Sequence, residues 1–242
     1  MHAAIITGTS RGLGEALAAE LLTRGYSVIG IGRSDSTRLA GERYRFVECD
    51  LARPARIGAA IDPALRELAA AGPAAVTLVN NAAVAWPVAC VGRLPDGEAE
   101  AALATNVAAP LALCNAFLRA FADPALPRRI VNVSSGAAQM AIAGSAVYSM
   151  SKAALETLTR AIAAECSAPA FRCITLRPGI FDTDMQAYMR SRDPAEFPDV
   201  ALFRSFKDSG ALKAPAEVAA RIVERLIAAG VEHGRTYTHQ DL

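Results

Sequence analysis

Short runs of β-branched and apolar residues alternate along the chain with longer stretches in which alanine and leucine recur at helical spacing. The runs Ala3–Thr7, Ser27–Ile31, Tyr44–Glu48, Val76–Val79, Ile130–Val133 and Cys173–Leu176 read as strands, most of them almost continuously apolar, as strands covered on both faces are. Gly12–Arg24, Arg53–Ala70, Asp96–Phe121, Ser145–Cys166 and Pro215–Ala229 read as helices. The last carries proline in its first turn, where a missing N–H costs little. Buried strands joined by helical crossovers predict an α/β fold, a Rossmann-type doubly wound parallel sheet with ligands at the carboxyl ends of its strands. No repeat or low-complexity linker interrupts residues 1–242, so a single domain is expected. Only Phe181–Lys213 breaks the rhythm. Met185, Tyr188, Met189, Phe197, Phe203 and Phe206 stand there among charged residues, which predicts an insertion: a lid over substrate, or a hairpin facing a partner.

Composition narrows the partners. A chain of 242 residues, 52% hydrophobic and 20% charged with a formal charge of +1, can bury a large core but offers no basic stripe for a phosphate backbone, so nucleic acid is not expected. Two uncharged runs, Leu68–Gly92 and Ile130–Ser151, have the length of a membrane span. Gly72-Pro73, Asn80-Asn81 and the serines of the second run turn them into strands that lead into polar loops, and no membrane is expected. Five scattered cysteines without a C-x-x-C pair predict reduced thiols and no metal site. With no charged-then-apolar leader ahead of the first glycine turn, the expected location is the cytoplasm.

The first strand runs into Gly8-Thr9-Ser10-Arg11-Gly12-Leu13-Gly14 and then a helix, so backbone N–H groups and a positive helix end face outward in a phosphate cradle. The same residues satisfy G-x-S-x-G, the nucleophile elbow of hydrolases. An elbow at residue 10 has no earlier strand to build an oxyanion loop, and the only later histidines, His233 and His239, lie near the end. No Gly-Lys-Ser/Thr follows, which excludes a P-loop. At the end of the second strand, Gly32 occupies the place where an acid would bind an adenosine ribose diol. Arg33 follows it, and with Arg11 offers two guanidinium groups to a 2′-phosphate, each contact worth about 1.5–3 kcal/mol.

Tyr148 and Lys152, at i and i+4 of a helix, share one face, and a cation near a phenol draws its pKa down toward that of a usable proton donor. By itself the pair is weak. Ser135 stands at a preceding strand end, Asn106 lies in the long helix before it, and Asn80-Asn81-Ala82-Ala83 follows the fourth strand. With Asp50-Leu51 after the third strand and Pro178-Gly179 after the sixth, these residues fall in an order that resembles the short-chain dehydrogenase/reductase family over essentially the whole chain. Ala83 departs from that pattern, in which glycine is usual. Within the family, Thr7–Ala16, Asn132–Ala137, Pro178–Met189 and Phe206–Ala219 look like bacterial benzil reductases, with a more distant similarity to sepiapterin reductases.

The resemblance implies a carbonyl reductase in which NADPH gives hydride to a ketone, an apolar α-diketone before others. Tyr148 is the implied proton donor, Ser135 its partner on the substrate oxygen, Lys152 the tuning cation and ribose ligand, and Asn106 the support of a water relay. The implied cofactor contacts are Gly8, Ser10, Arg11, Gly12, Leu13, Gly14, Arg33, Asp50, Leu51, Asn81, Ala82, Tyr148, Lys152, Pro178, Gly179, Ile180 and Thr183, with Thr183 and Ile180 on the carboxamide. Trp86, Met185 and Met189 join Ser135 and Tyr148 as substrate contacts. Sepiapterin reductases anchor their pterin on an acid where this chain has Thr238, although Asp241 lies three residues on. The expected partners are a small carbonyl compound and further copies of the chain, as a homodimer or homotetramer. Two rivals stand beside this: a sepiapterin-like or general ketone/aldehyde reductase, and a dinucleotide-binding regulator without chemistry.

Overall fold

The computed structural model describes residues 1–242. Its centre is one sheet of seven parallel strands: β1 (His2–Thr7), β2 (Ser27–Gly32), β3 (Tyr44–Glu48), β4 (Ala75–Asn80), β5 (Arg128–Val133), β6 (Phe171–Arg177) and β7 (Thr236–Thr238). They lie in the order β3-β2-β1-β4-β5-β6-β7, so the direction of winding reverses between β1 and β4.

Strand periodicity splits the core. Ile29, Ile5, Leu78, Ile130 and Cys173 form a stripe across the sheet on one face, packed under α2 (Pro54–Ala70), α4 (Ala109–Ala120) and α5 (Ala146–Glu165). Their chain neighbours Ile6, Val79, Val131 and Ile174 point to the other face, beneath α1 (Gly12–Thr23) and α8 (Pro215–Ile222). This is the two-sided burial that near-continuous apolar strands require.

Three elements differ from the pattern. The single helix read over Asp96–Phe121 is α3 (Glu98–Leu103) and α4, continuous through one π-helical turn, Ala104–Ala108. This helix, Glu98–Ala120, is long and apolar enough to cross a membrane, but its inner side, with Leu113, Cys114 and Phe117, belongs to the core. A seventh strand, β7, is only three residues and has no apolar run to announce it. Phe181–Lys213 folds into α6 (Asp184–Arg190) and α7 (Val200–Asp208), closed at its base by a bridge between Phe181 and Lys213. Met189, Phe197 and Val200 of this segment pack with Ala85, Val88, Ala137 and Ile142 in a small core of their own.

Candidate active site

Where the strands end, loops from β1, β2, β4, β5 and β6 and the segment 181–213 line one cleft of about 1810 Å³. At its floor the Thr7 hydroxyl accepts hydrogen bonds from the Asn81 and Ala82 N–H groups at 3.0 and 2.9 Å, while the Asn81 amide donates to the Thr7 carbonyl at 2.9 Å. The glycine turn and the β4 loop are thereby one unit. Gly8 and Gly12 have φ of 75° and 63°, the region glycine favours. At Gly14 a Cβ would sit 2.2 Å from the Gly8 carbonyl oxygen and 2.5 Å from the Asn81 amide nitrogen, so only glycine lets the α1 terminus come this close. A turn so stripped of side chains, facing a cleft with a helix N-terminus behind it, fits a pyrophosphate.

On the β2 side Gly32, Arg33 and Ser34 line the cleft, and Arg33 is exposed and engaged by no other side chain. Arg11, also lining the cleft, sits 3.3 Å from Asp184 of α6. Arg38 is a further guanidinium on this rim, 3.4 Å from Glu15. It escaped the sequence reading because it lies in an irregular loop, away from any strand end. Asp50 and Leu51 line the same end, where the Asp50 carboxylate accepts from the Ala52 N–H at 3.1 Å.

At the other end, β5 delivers Ser135, whose hydroxyl accepts from the Ala137 N–H at 3.2 Å and so starts the 3₁₀ turn Gly136–Gln139. The first two turns of α5 carry Tyr148 and Lys152. The Lys152 ammonium is buried, donates to the Val133 carbonyl at 2.8 Å and stands 5.6 Å from the centre of the Tyr148 ring. Burial pushes this lysine down to about 8. Burial raises the Tyr148 hydroxyl above its ordinary value, offset in part by its hydrogen bond with Ser135. The cationic pull that the i, i+4 spacing predicts is not among the causes of this shift, and burial holds the hydroxyl protonated, as a donor must be.

Asn106 lies in the π turn, fully buried. Its amide donates to the Val84 carbonyl at 2.8 Å and approaches the Ser151 hydroxyl at 3.2 Å, and its oxygen accepts from the Val84 N–H at 2.9 Å. It clamps the β4 loop to α5. From β6, Pro178, Gly179 and Ile180 line the cleft beside His239 and Gln240, neither of which the sequence reading placed in the site. Thr183 caps α6, its hydroxyl accepting from the Gln186 N–H at 3.5 Å. Trp86, Met185, Tyr188, Leu202, Phe203 and Phe206 make apolar walls. Met189 touches the cleft but is 3% exposed, part of the small core behind the wall. Asp241 is engaged locally: its carboxylate accepts from the Thr238 N–H and hydroxyl at 2.7 and 3.0 Å and pairs with Arg235 at 2.9 Å.

A glycine cradle, an acid-capable tyrosine beside a buried lysine and a serine at the neighbouring strand end define an oxidoreductase site for a nicotinamide dinucleotide. Residues 2–194 match the model of the short chain dehydrogenase family, and the chain belongs to that family. It is 30% identical over 239 residues to the "Benzil reductase ((S)-benzoin forming)" of Bacillus subtilis (strain 168), covering 98% of each chain. To the sepiapterin reductase of Meriones unguiculatus it is 34% identical over 209 residues, 78% of this chain and 79% of the relative. Among solved structures, the KRED1-Pglu enzyme superposes with a TM-score of 0.82 at 26% identity, covering 98% and 100% of the two chains. A Beutenbergia cavernae structure with bound NADP gives 0.79 at 27%, covering 98% and 94%. The protein is an NAD(P)-dependent oxidoreductase acting on CH–OH or C=O groups.

Proposed function

We propose that this protein is an NADPH-dependent carbonyl reductase whose preferred substrates are apolar α-diketones such as benzil. The observation that carries this reading is the lining of the cleft, in which Tyr148 and Ser135 share one pocket with the apolar side chains of Trp86, Met185 and Phe203. The likeness to benzil reductases supports it. Asp241, spent on Thr238 and Arg235, is not free to anchor a pterin.

The glycine turn and α1 would hold the pyrophosphate, Arg33 the 2′-phosphate, Asp50, Leu51, Asn81 and Ala82 the adenosine side, and Lys152, Pro178, Ile180 and Thr183 the nicotinamide side. NADPH, when bound, supplies the hydride. Tyr148 gives its proton to the carbonyl oxygen, and the Ser135 hydroxyl donates a hydrogen bond to that oxygen as charge gathers on it. Lys152, fixed by Val133, favours the phenolate left behind. The segment 181–213 acts as a lid that excludes water. Copies of the chain pair through α4 and α5, whose outer faces expose Leu111 and Met150, as a homodimer or homotetramer. A reducing compartment, the cytoplasm, suits five free thiols.

Steady-state NADPH oxidation tests the reading. Benzil should exceed sepiapterin in kcat/KM, and NADPH should exceed NADH. Arg33→Asp should weaken NADPH by about 10- to 150-fold, the equivalent of one charge-assisted contact. Equal efficiency on both substrates would remove the α-diketone assignment, and equal affinity for both dinucleotides would remove the role of Arg33.

A further inference from the structure

Beneath the cleft lies a polar cluster that the reaction scheme does not use. Glu156 stands one turn beyond Lys152 on α5 and is 7% exposed. Arg177, the last residue of β6, grips its carboxylate with both arms, Nε to Oε1 at 2.8 Å and Nη2 to Oε2 at 2.7 Å. The third nitrogen of the same guanidinium, Nη1, donates to Gln139 in the 3₁₀ turn at 2.6 Å. The Ser134 hydroxyl donates to Glu156 Oε1 at 2.9 Å and lies 3.2 Å from the Lys152 carbonyl.

The cluster around this one carboxylate adjoins three segments of the site. Ser134 precedes Ser135, Gln139 closes the turn that Ser135 opens, Lys152 shares its helix, and Arg177 leads into Pro178-Gly179-Ile180. A planar two-bond fork fixes direction as well as distance, which a lysine or a single hydrogen bond would not. A buried ion pair is commonly no more stabilising than an apolar pair of the same volume, so stability alone is a poor account of its presence. Burial alone would raise the Glu156 carboxyl, but the bonds from Arg177 and Ser134 outweigh it and keep it ionised.

We propose that Glu156, gripped by Arg177, is a positioning residue for carbonyl reduction, setting the Ser135 turn, the Tyr148–Lys152 helix and the Pro178 loop relative to one another. The inference rests on the roles given above to Tyr148 and Ser135. Proton donation demands placement within a fraction of an ångström, and an error near 1 Å costs about 10²-fold in rate.

The test compares the whole enzyme with Glu156→Gln, the double variant Glu156→Leu with Arg177→Met, and Tyr148→Phe, on the best carbonyl substrate of a panel. Turnover is counted per NADPH-binding site, and hydrogen–deuterium exchange is followed in the protein without cofactor. Glu156→Gln should lower kcat by about 10- to 100-fold while both KM values stay within about threefold. Deuterium uptake should rise in residues 134–140 and 177–183 and not in the central strands. The double variant, free of an unpaired buried charge, should regain Tm but not kcat. Wild-type kcat in Glu156→Gln, or recovery of kcat together with Tm in the double variant, would overturn the proposal. If the double variant does not fold, Glu156→Gln decides alone. Unchanged turnover in Tyr148→Phe would instead indict the underlying reading of the site, and the exchange pattern would still decide whether Glu156 holds the three segments.

Discussion

Lys152 shows what a reactive site demands of single residues. Its ammonium is buried with one backbone carbonyl for company, and burial holds it near 8 against an ordinary 10.5. The unfolded chain keeps this proton up to its ordinary value, whereas the folded protein releases it near 8. Below about 8 the buried charge opposes folding in full, and the opposition fades as pH rises toward 10.5. Without cofactor, the Tm of the wild type relative to Lys152→Met should therefore shift in favour of the wild type between pH 7 and pH 10, by differential scanning calorimetry. A flat difference would mean that the lysine is not held down. Tyr148→Phe keeps the ring and removes the proton, so kcat should fall by at least about 10²-fold while NADPH still binds by fluorescence titration. Tyr148 and Lys152 were legible because helical spacing gives them a shared face and the ordered company of Asn106 and Ser135 singles that pair out. Thr7 and Glu156 were not: a strand-end threonine and a helix glutamate look like any others until the loops that meet them are in place.

At the scale of elements, periodicity located both central sheet strands and long helices but missed changes of a single residue. The π turn at Ala104–Ala108 adds one residue to one turn of an otherwise regular helix, and this sets Asn106 against Val84 instead of in the α-helical ladder. Such an insertion leaves the hydrophobic stripe nearly unchanged, so the pattern reads as one uniform helix. The segment 181–213 was legible as an excursion because its aromatic residues follow no period. Which of them face inward was not, since that depends on Ala85, Val88 and Ile142 from distant loops. The outcome separates two methionines that look equivalent in sequence. Met185→Ala should raise KM for an apolar diketone by roughly 5- to 100-fold with little change in Tm, as a wall contact is worth about 1–3 kcal/mol. Met189→Ala should instead lower stability by about 2–5 kcal/mol, because it opens a hole in the small core behind the wall; urea denaturation distinguishes the two.

For the whole molecule, the proposed assembly rests on the outer faces of α4 and α5. Leu111 and Met150 are 54% and 55% exposed, and Leu111→Arg combined with Met150→Glu should leave a monomer by light scattering if these faces pair. An unchanged oligomer would move the contact elsewhere. The order of the strands has a different consequence, for the chain as it is being made. After β1, β2 joins β1 and β3 joins β2; β4 then joins the free edge of β1, and β5, β6 and β7 each join the strand before. No strand has to be threaded between two others, and none waits for a neighbour synthesised after it. A chain leaving the ribosome from its amino end can thus lay down its sheet one edge at a time. The weld between Thr7 and Asn81 needs no residue beyond Ala82, so it can close once β4 has docked, with Ser135, Tyr148 and Lys152 later in the order of synthesis. The pyrophosphate end of the dinucleotide cradle is thus built from chain that precedes the catalytic serine, tyrosine and lysine, which arrive on a turn already formed.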